Sequence, residues 1–313
     1  MYLITGATGF VGKALLKRLE IDNLSFRGLS RTISNRKFFI QCDLLEESDL
    51  NQAIFKDVTT VIHMAGYTHD LSDSNEKYPM YYDLNVEVTT RLANMAAESG
   101  VSHFIFVSSV KASGSKLSDK CHKESDQGNP HDIYGKTKRL AELELLDLGG
   151  KSNMRVSIIR PSLVYGPNVK GNLELMLRGI KGGWFPPLPK SENKRSMVHV
   201  DDLVRAIVLV AKNQSINGEI FTITDGEHYS AYKIYNTLCD ASGKRRPQLR
   251  IPKVLFDVAS YISPSIQRKV DKLFGNDCYC SSRINSLGFK AKKSLRDINK
   301  TSYKANSQHN KQK

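Results

Sequence analysis

The first nineteen residues constrain the chain more than any other stretch. Tyr2-Leu3-Ile4-Thr5 is a short apolar run, and Gly6-Ala7-Thr8-Gly9-Phe10-Val11-Gly12 is a glycine-rich turn. Val11, Ala14, Leu15 and Leu19 then recur at helical spacing. Strand, turn and helix in that order is the context that gives a glycine motif meaning. Gly6 permits a tight turn, Gly9 lets the backbone approach a diphosphate, and Gly12 lets the helix pack closely on the strand. Amide N–H groups at the helix start, beginning at Phe10, point at the phosphates, and the helix dipole favours their negative charge. The spacing GxxGxxG, at the head of a long α/β-patterned chain, predicts dinucleotide binding.

The 313 residues have room for one large domain or two small ones, and the apolar fraction of 40% is enough for a core. No run approaches the ~18 apolar residues of a membrane helix. No basic stretch precedes an apolar one at the N-terminus, so no signal peptide is expected. Five scattered cysteines (42, 121, 239, 278 and 280) suit free thiols in a reducing cytoplasm. Cys278-Tyr279-Cys280 has no second ligand pair nearby, so no metal site is expected. The net charge of +14 is uneven: residues 251–313 hold 13 Lys or Arg against 4 Asp or Glu. The polar stretch 301–313 reads as a disordered basic tail and a solvated end. Its cations are not interleaved with aromatics, so nucleic acid is not an expected partner. Contact with an anionic membrane surface is the less favoured reading.

Along the chain, Ser25–Leu29 reads as a second strand ending at Ser30-Arg31. In NAD-binding domains an acidic residue near this point holds the ribose 2′-hydroxyl. Here Ser30 and Arg31 are suited to a 2′-phosphate, which favours NADP(H) over NAD(H). Lys37–Gln41 is a third strand leading to Asp43-Leu44, and Glu46–Ile54 reads as a helix. Thr60–His63 is a buried strand followed by Met64-Ala65-Gly66. Tyr81, Leu84, Val88, Leu92 and Met95 mark 80–99 as one long amphipathic helix. Phe104–Ser109 ends a further strand. Alternating strands and helices imply a doubly wound parallel sheet, a Rossmann fold, with ligands beyond the carboxyl ends of the strands. Ser109, His63 and Asp43 fall there.

Residues 130–149 are helical, with Leu140, Leu143 and Leu146 on the apolar side. Near the start of that helix, Tyr134 and Lys138 are four apart and share a face. An unperturbed tyrosine, with a pKa of about 10, is a poor proton shuttle at neutral pH. A neighbouring ammonium and a bound nicotinamide cation are expected to lower it. After residue 225 no alternating sheet pattern appears. Tyr232, Tyr235 and Leu238-Cys239 suggest a helix, and 252–262 another, with Val254, Leu255, Val258 and Ile262 as one apolar stripe. That stripe is expected to pack onto the substrate region; the alternative is membrane contact toward a lipid-linked sugar.

Together these residues resemble the extended short-chain dehydrogenase/reductase family over roughly residues 1–300. Gly6, Gly9 and Gly12 match its glycine motif, Asp43-Leu44 its adenine contact, and His63–Gly66 the segment after the fourth strand. Asn85 matches a helix asparagine that supports the active site, and Ser109, Tyr134 and Lys138 match the catalytic set. Arg160-Pro161 and Val164–Pro167 resemble the crossing into the substrate region. Residues 194–203 resemble the segment of nucleotide-sugar enzymes in which an arginine, here Arg195, grips the substrate diphosphate; a guanidinium fork suits two phosphate oxygens. Gly171-Asn172-Leu173 and Trp184-Phe185-Pro186 are candidates for the nucleotide pocket, Trp184 equally for core packing. Many members carry a Tyr-Gly pair where this chain has Ser108–Gly114. That form is similar to nucleotide-sugar 4-reductases and 4-epimerases of bacterial surface-polysaccharide pathways, and makes Lys111 a candidate substrate contact.

The resemblance implies a cofactor domain over 1–165 and about 196–225. A smaller, mostly helical substrate-binding region is expected over 166–195 and 226–300. It implies a cytoplasmic homodimer acting on a nucleotide sugar, UDP-linked by expectation, with Tyr134 and Lys138 also touching cofactor. The implied reaction is reduction of a 4-keto sugar by NADPH. Tyr134 protonates the ketone oxygen, Lys138 holds the nicotinamide ribose, and Ser109 donates a hydrogen bond to the same oxygen. The rival readings are an NAD-using UDP-hexose 4-epimerase and a non-catalytic dinucleotide sensor or scaffold. Neither the sugar nor its nucleotide is readable from spacing.

Overall fold

The computed structural model describes residues 1–32, 38–68, 75–114, 120–248 and 251–298. Lys37, at the head of the expected third strand, and the expected tail at 301–313 lie outside them.

Among the described residues there are ten strands: β1 (Tyr2–Thr5), β2 (Phe26–Ser30), β3 (Phe39–Gln41), β4 (Thr60–His63), β5 (His103–Val107), β6 (Arg155–Pro161), β7 (Leu163–Tyr165), β8 (Arg195–His199), β9 (Glu219–Ile223) and β10 (His228–Tyr229). Seven form one sheet in the order β3-β2-β1-β4-β5-β6-β9, every pair parallel. Leu3, Ile4, Val61, Ile62, Phe104, Ile105 and Phe106 are all buried, the sign of strands covered on both faces. The order reverses between β1 and β4, and ligands of doubly wound sheets bind at that reversal. The helices of this sheet are α1 (Phe10–Ile21), α2 (Tyr78–Tyr82), α3 (Val88–Glu98) and α4 (Ile133–Lys151). The expected doubly wound parallel sheet is thus present.

The chain forms two compact units. The first is Met1–Ser162, Leu203–Ile223 and Cys280–Phe289; the second is Leu163–Asp202, Thr224–Tyr279 and the described part of Lys290–Lys313. The second unit has a small sheet, β10-β8-β7, with α5 (Asn172–Gly182), α7 (Ala231–Ala241), α8 (Lys253–Ser260) and α9 (Pro264–Phe274). Between α5 and α7 in sequence, α6 (Val200–Lys212) runs from the second unit's segment into the first's.

Four local readings need correction. Glu46–Ile54 is not one helix but two short 3-10 turns, Glu47–Asp49 and Gln52–Phe55. Asp49 turns back to accept the Asp43 amide at 2.8 Å, and Asn51 starts a new turn by accepting the Ala53 amide. The helix over 80–99 is interrupted between α2 and α3 by a π turn, Asp83–Glu87. In α4, Leu140 and Leu143 face solvent, 38% and 47% exposed, while Thr137, Lys138, Ala141, Glu142 and Leu145 are buried. The buried face follows the polar pair Lys138 and Glu142, which an apolar periodicity count discards. The α8 stripe does not pack onto the second unit: no residue of α8 is buried. Cysteine spacing was also a poor guide to thiol state: Cys42, Cys239 and Cys280 are free, whereas Cys121 and Cys278 are disulfide-bonded.

Candidate active site

The turn after β1 is built as its glycines require. Gly6 has φ +65°, a conformation glycine adopts without strain. The Gly9 amide donates to the Gly6 carbonyl at 3.0 Å, and Gly9 caps α1 with no side chain in the way. A Cβ on Gly12 would overlap the Gly6 carbonyl and approach the Ala7 backbone to 2.8 Å. The first amides of α1, from Phe10 onward, have no partner within the helix and face the bare turn. This cradle of backbone fits a dinucleotide diphosphate.

Thr5 holds the cradle in place. Its hydroxyl accepts the Met64 and Ala65 amides, each at 3.1 Å, and lies 2.7 Å from His63 Nδ1. The other ring nitrogen of His63 is 2.9 Å from the Thr89 hydroxyl. Burial, with the Lys138 charge, pushes His63 down to about 3, so the ring is neutral and structural. At the end of β2, Ser30 is 8% exposed and its hydroxyl accepts the Thr32 amide at 3.3 Å, while Arg31 is exposed. Asp43 accepts the Leu45 amide at 3.1 Å, and the Leu44 carbonyl accepts from Arg91 at 2.7 Å. Both stand where an adenine contact was expected, beyond β3. Pro161 closes β6, paired with Ile223 of β9.

Ser109, Tyr134 and Lys138 are brought together. Ser109 ends the segment after β5 and starts the 3-10 turn Val110–Ser113, its hydroxyl accepting the Lys111 amide at 3.2 Å. Asp132 caps α4 by accepting the Gly135 amide at 2.6 Å, which sets Tyr134 in the first turn. Gly135 is bare because a Cβ there would stand 2.6 Å from the Lys111 carbonyl, so the Ser109 segment and the Tyr134 helix touch backbone to backbone. The Ser109 hydroxyl bonds that of Tyr134. Lys138, one turn on and 2% exposed, donates to the Val107 carbonyl at 3.3 Å and sits 4.4 Å from the centre of the Phe106 ring.

Asn85, fully buried in the π turn, accepts the Tyr67 amide at 2.8 Å and donates to the Tyr67 carbonyl and the Thr137 hydroxyl. A Cβ on Gly66 would stand 2.8 Å from Asn85 Oδ1 and 3.1 Å from Lys138 Nζ. Asn85, Gly66 and Lys138 therefore form one packed group.

Burial bears on the expected state of Tyr134. Burial pushes the Tyr134 hydroxyl well above the ordinary tyrosine value, and its bond with Ser109 opposes this. The charges of Asp132 and Glu142 act with burial. The expected lowering is thus not a property of the protein alone. Burial also pushes Lys138 down to about 8, against the raising effect of Glu142. Glu142 is itself held by Arg160, with Nε–Oε1 at 2.8 Å and Nη2–Oε2 at 2.5 Å, both side chains all but fully buried. Thr5, Gly135 and the Glu142–Arg160 pair were not singled out for the site from sequence. Glu142 had a signal: with Tyr134 and Lys138 it completes an i, i+4, i+8 polar line on one helix face.

In the second unit, Arg195 opens β8, with its guanidinium 3.7 Å from Asp277 and donating to the Lys272 carbonyl. Asn172, the first residue of α5, is exposed. Trp184 is 60% exposed and is not core packing; its ring lies against Gly179 and Gly182. Lys111 is exposed in the turn after Ser109.

The sequence model of the NAD dependent epimerase/dehydratase family matches residues 2–224. A UDP-glucose 4-epimerase of Vibrio cholerae is 35% identical over 261 residues, covering 80% of this chain and 78% of its own. An N-acetyl-alpha-D-glucosaminyl-diphospho-ditrans,octacis-undecaprenol 4-epimerase of Escherichia coli O157:H7 is 27% identical over 309 residues, covering 92% and 90%. Among solved structures, MoeE5 in complex with UDP-glucuronic acid and NAD superposes with a TM-score of 0.77 at 24% identity, covering 96% of this chain and 97% of its own, a likeness of fold.

Proposed function

The chain belongs to the NAD dependent epimerase/dehydratase family, and from that premise we propose that it epimerises C4 of a hexose carried on a diphosphate, with NAD as cofactor. The observation that carries the reading is the joined group of Ser109, Tyr134 and Lys138 beside a bare phosphate cradle. The glycine cradle of Gly6, Gly9 and Gly12 would hold NAD, which would supply reversible hydride transfer at C4. Tyr134 accepts the C4 hydroxyl proton and gives it back. Ser109 donates a hydrogen bond to the same oxygen and orients it. Lys138, held on the Val107 carbonyl, supplies positive charge beside Tyr134 and binds the nicotinamide ribose. Because burial raises Tyr134, its activation depends on the positive charge of the oxidised cofactor.

Arg195 and Asn172 are the proposed contacts of the substrate diphosphate and its carrier, and Lys111 a contact of the sugar. The relatives named above support either of two carriers, a nucleoside or a polyprenol. The exposed Leu140 and Leu143 on α4 support self-association through that helix, which light scattering on Leu143→Glu tests.

The test is conversion of UDP-glucose to UDP-galactose, and of the N-acetyl pair, by purified protein without added reductant. Conversion without net cofactor turnover supports the reading; no conversion of any diphosphate sugar refutes it. Ser30-Arg31 favours a second reading, a 4-keto reductase that consumes NADPH. Preferred, exchangeable NADPH and no epimerisation would select it, whereas tightly retained NAD would select the epimerase.

A further inference from the structure

Among the described residues fourteen large apolar side chains are exposed, and five of them fall within nine residues of α8 and the turn after it. Val254 is 64% exposed, Leu255 55%, Val258 59%, Tyr261 89% and Ile262 75%. At 100° per residue they fill one stripe about 120° wide. The opposite side of α8 is occupied: Phe256 stacks edge-on against Phe274 of α9, with ring centres 5.3 Å apart. The hairpin is therefore pinned by one face and bare on the other.

Charge decides what the bare face meets. In α9, Arg268, Lys269 and Lys272 share one exposed side, accompanied by a single carboxylate, Asp271. On α8 the only carboxylate, Asp257, is held by Lys253 at 2.7 Å. A second copy seated on this face by two-fold symmetry would bring together two strongly basic regions, each with 13 Lys or Arg against 4 Asp or Glu over 251–313. An anionic lipid surface takes the apolar stripe at its acyl boundary and attracts the basic region around it. Among the described residues no helix is long and apolar enough to cross a membrane, so the hairpin lies on the surface and does not span it.

We infer that the α8–α9 hairpin is a membrane-docking element that seats the second unit on an anionic lipid surface. It goes beyond the proposed reaction. A membrane seat suits a diphosphate sugar carried on lipid, but the seat rests on the hairpin alone and its test reads no activity.

The experiment is co-sedimentation of the full chain with vesicles of phosphatidylcholine, alone or mixed with phosphatidylglycerol. Binding is expected only with phosphatidylglycerol and is weakened by salt. Leu255→Ser with Ile262→Ser is expected to weaken it at least tenfold. Each of Arg268→Gln, Lys269→Gln and Lys272→Gln is expected to weaken it about fivefold. A Tyr261→Trp variant is expected to shift its emission to the blue on those vesicles. All substituted side chains are exposed, and an unchanged thermal transition checks the fold. Failure to sediment with any vesicle overturns the inference, as does equal binding by the double serine variant. A smaller oligomer on serine substitution, with no vesicle effect, would assign the face to a second copy instead.

Discussion

The Glu142–Arg160 pair gives the sharpest prediction about the first unit. Glu142 is fully buried and Arg160 is 1% exposed, joined by two hydrogen bonds, with Gln127 accepting a third at 3.1 Å. Removing one partner of such a pair leaves a desolvated charge and costs roughly 3–5 kcal/mol. Glu142→Gln is expected near the top of that range, because Arg160 already has one nitrogen without a partner. Arg160→Met is expected near the bottom, because Arg139, 3.4 Å from Glu142, remains to receive it. Replacing both by apolar residues, Glu142→Leu with Arg160→Met, is expected to cost under about 2 kcal/mol, since neither charge is then stranded. In a thermal melt each single variant should fall by roughly 6–15 °C and the double variant by much less. The pair also bears on chemistry: Glu142 is what opposes the burial of Lys138. Glu142→Gln should therefore move the alkaline limb of the rate–pH profile to lower pH. Single variants that melt within about 2 °C of the parent, with an unmoved alkaline limb, would refute the reasoning.

Other outcomes follow from the same structure. Gly12→Ala should abolish cofactor binding in calorimetry, because its Cβ overlaps the Gly6 carbonyl and neither piece of backbone has room to yield. Tyr134→Phe should cut turnover roughly 10²- to 10⁴-fold while leaving cofactor affinity within about twofold. Arg195→Met should raise KM for a diphosphate sugar with little change in kcat, and wild-type KM would remove Arg195 from the substrate site. His63 is charged with difficulty when folded, so below its ordinary value of 6.5 the unfolded chain binds a proton that the folded chain refuses. Stability is then full above about pH 6.5 and falls as pH drops toward 3, by about 2 kcal/mol at pH 5. His63→Gln should flatten urea midpoints between pH 5 and 7, leaving the part of the slope due to His103.

What was legible in the sequence was what short-range spacing encodes. The glycines at 6, 9 and 12 announce a backbone cradle, and Tyr134 with Lys138 announces a shared helix face. Ser109 follows from standing at a strand end. What stayed hidden depends on partners distant in the chain. Thr5 matters because it reaches residues 63–65, and Gly135 because of the Lys111 carbonyl. Glu142 matters because it meets Arg160. The leucines of α4 misled for a related reason: apolar periodicity marks a core face only when polar residues stay outside, and here Lys138 and Glu142 are inside. The burial that raises Tyr134 in the protein alone also eluded spacing.

The π turn at Asp83–Glu87 carries a consequence for how this site tolerates change in length. A π turn is an α-helix with one residue added, and its ring is closed one position later. Deleting one residue from 83–87 would let the helix close as ordinary α with its two flanks still in register, because the wide turn already absorbs that residue. The loss would fall on Asn85, which the wide turn sets against Tyr67 and Thr137, while Tyr81 kept its place by Tyr134. Deleting one residue from 88–98 would instead rotate one flank against the other by about 100°. Tolerance to single-residue deletion, scanned along 78–98, would therefore map the stretch of helix on which the chemistry depends.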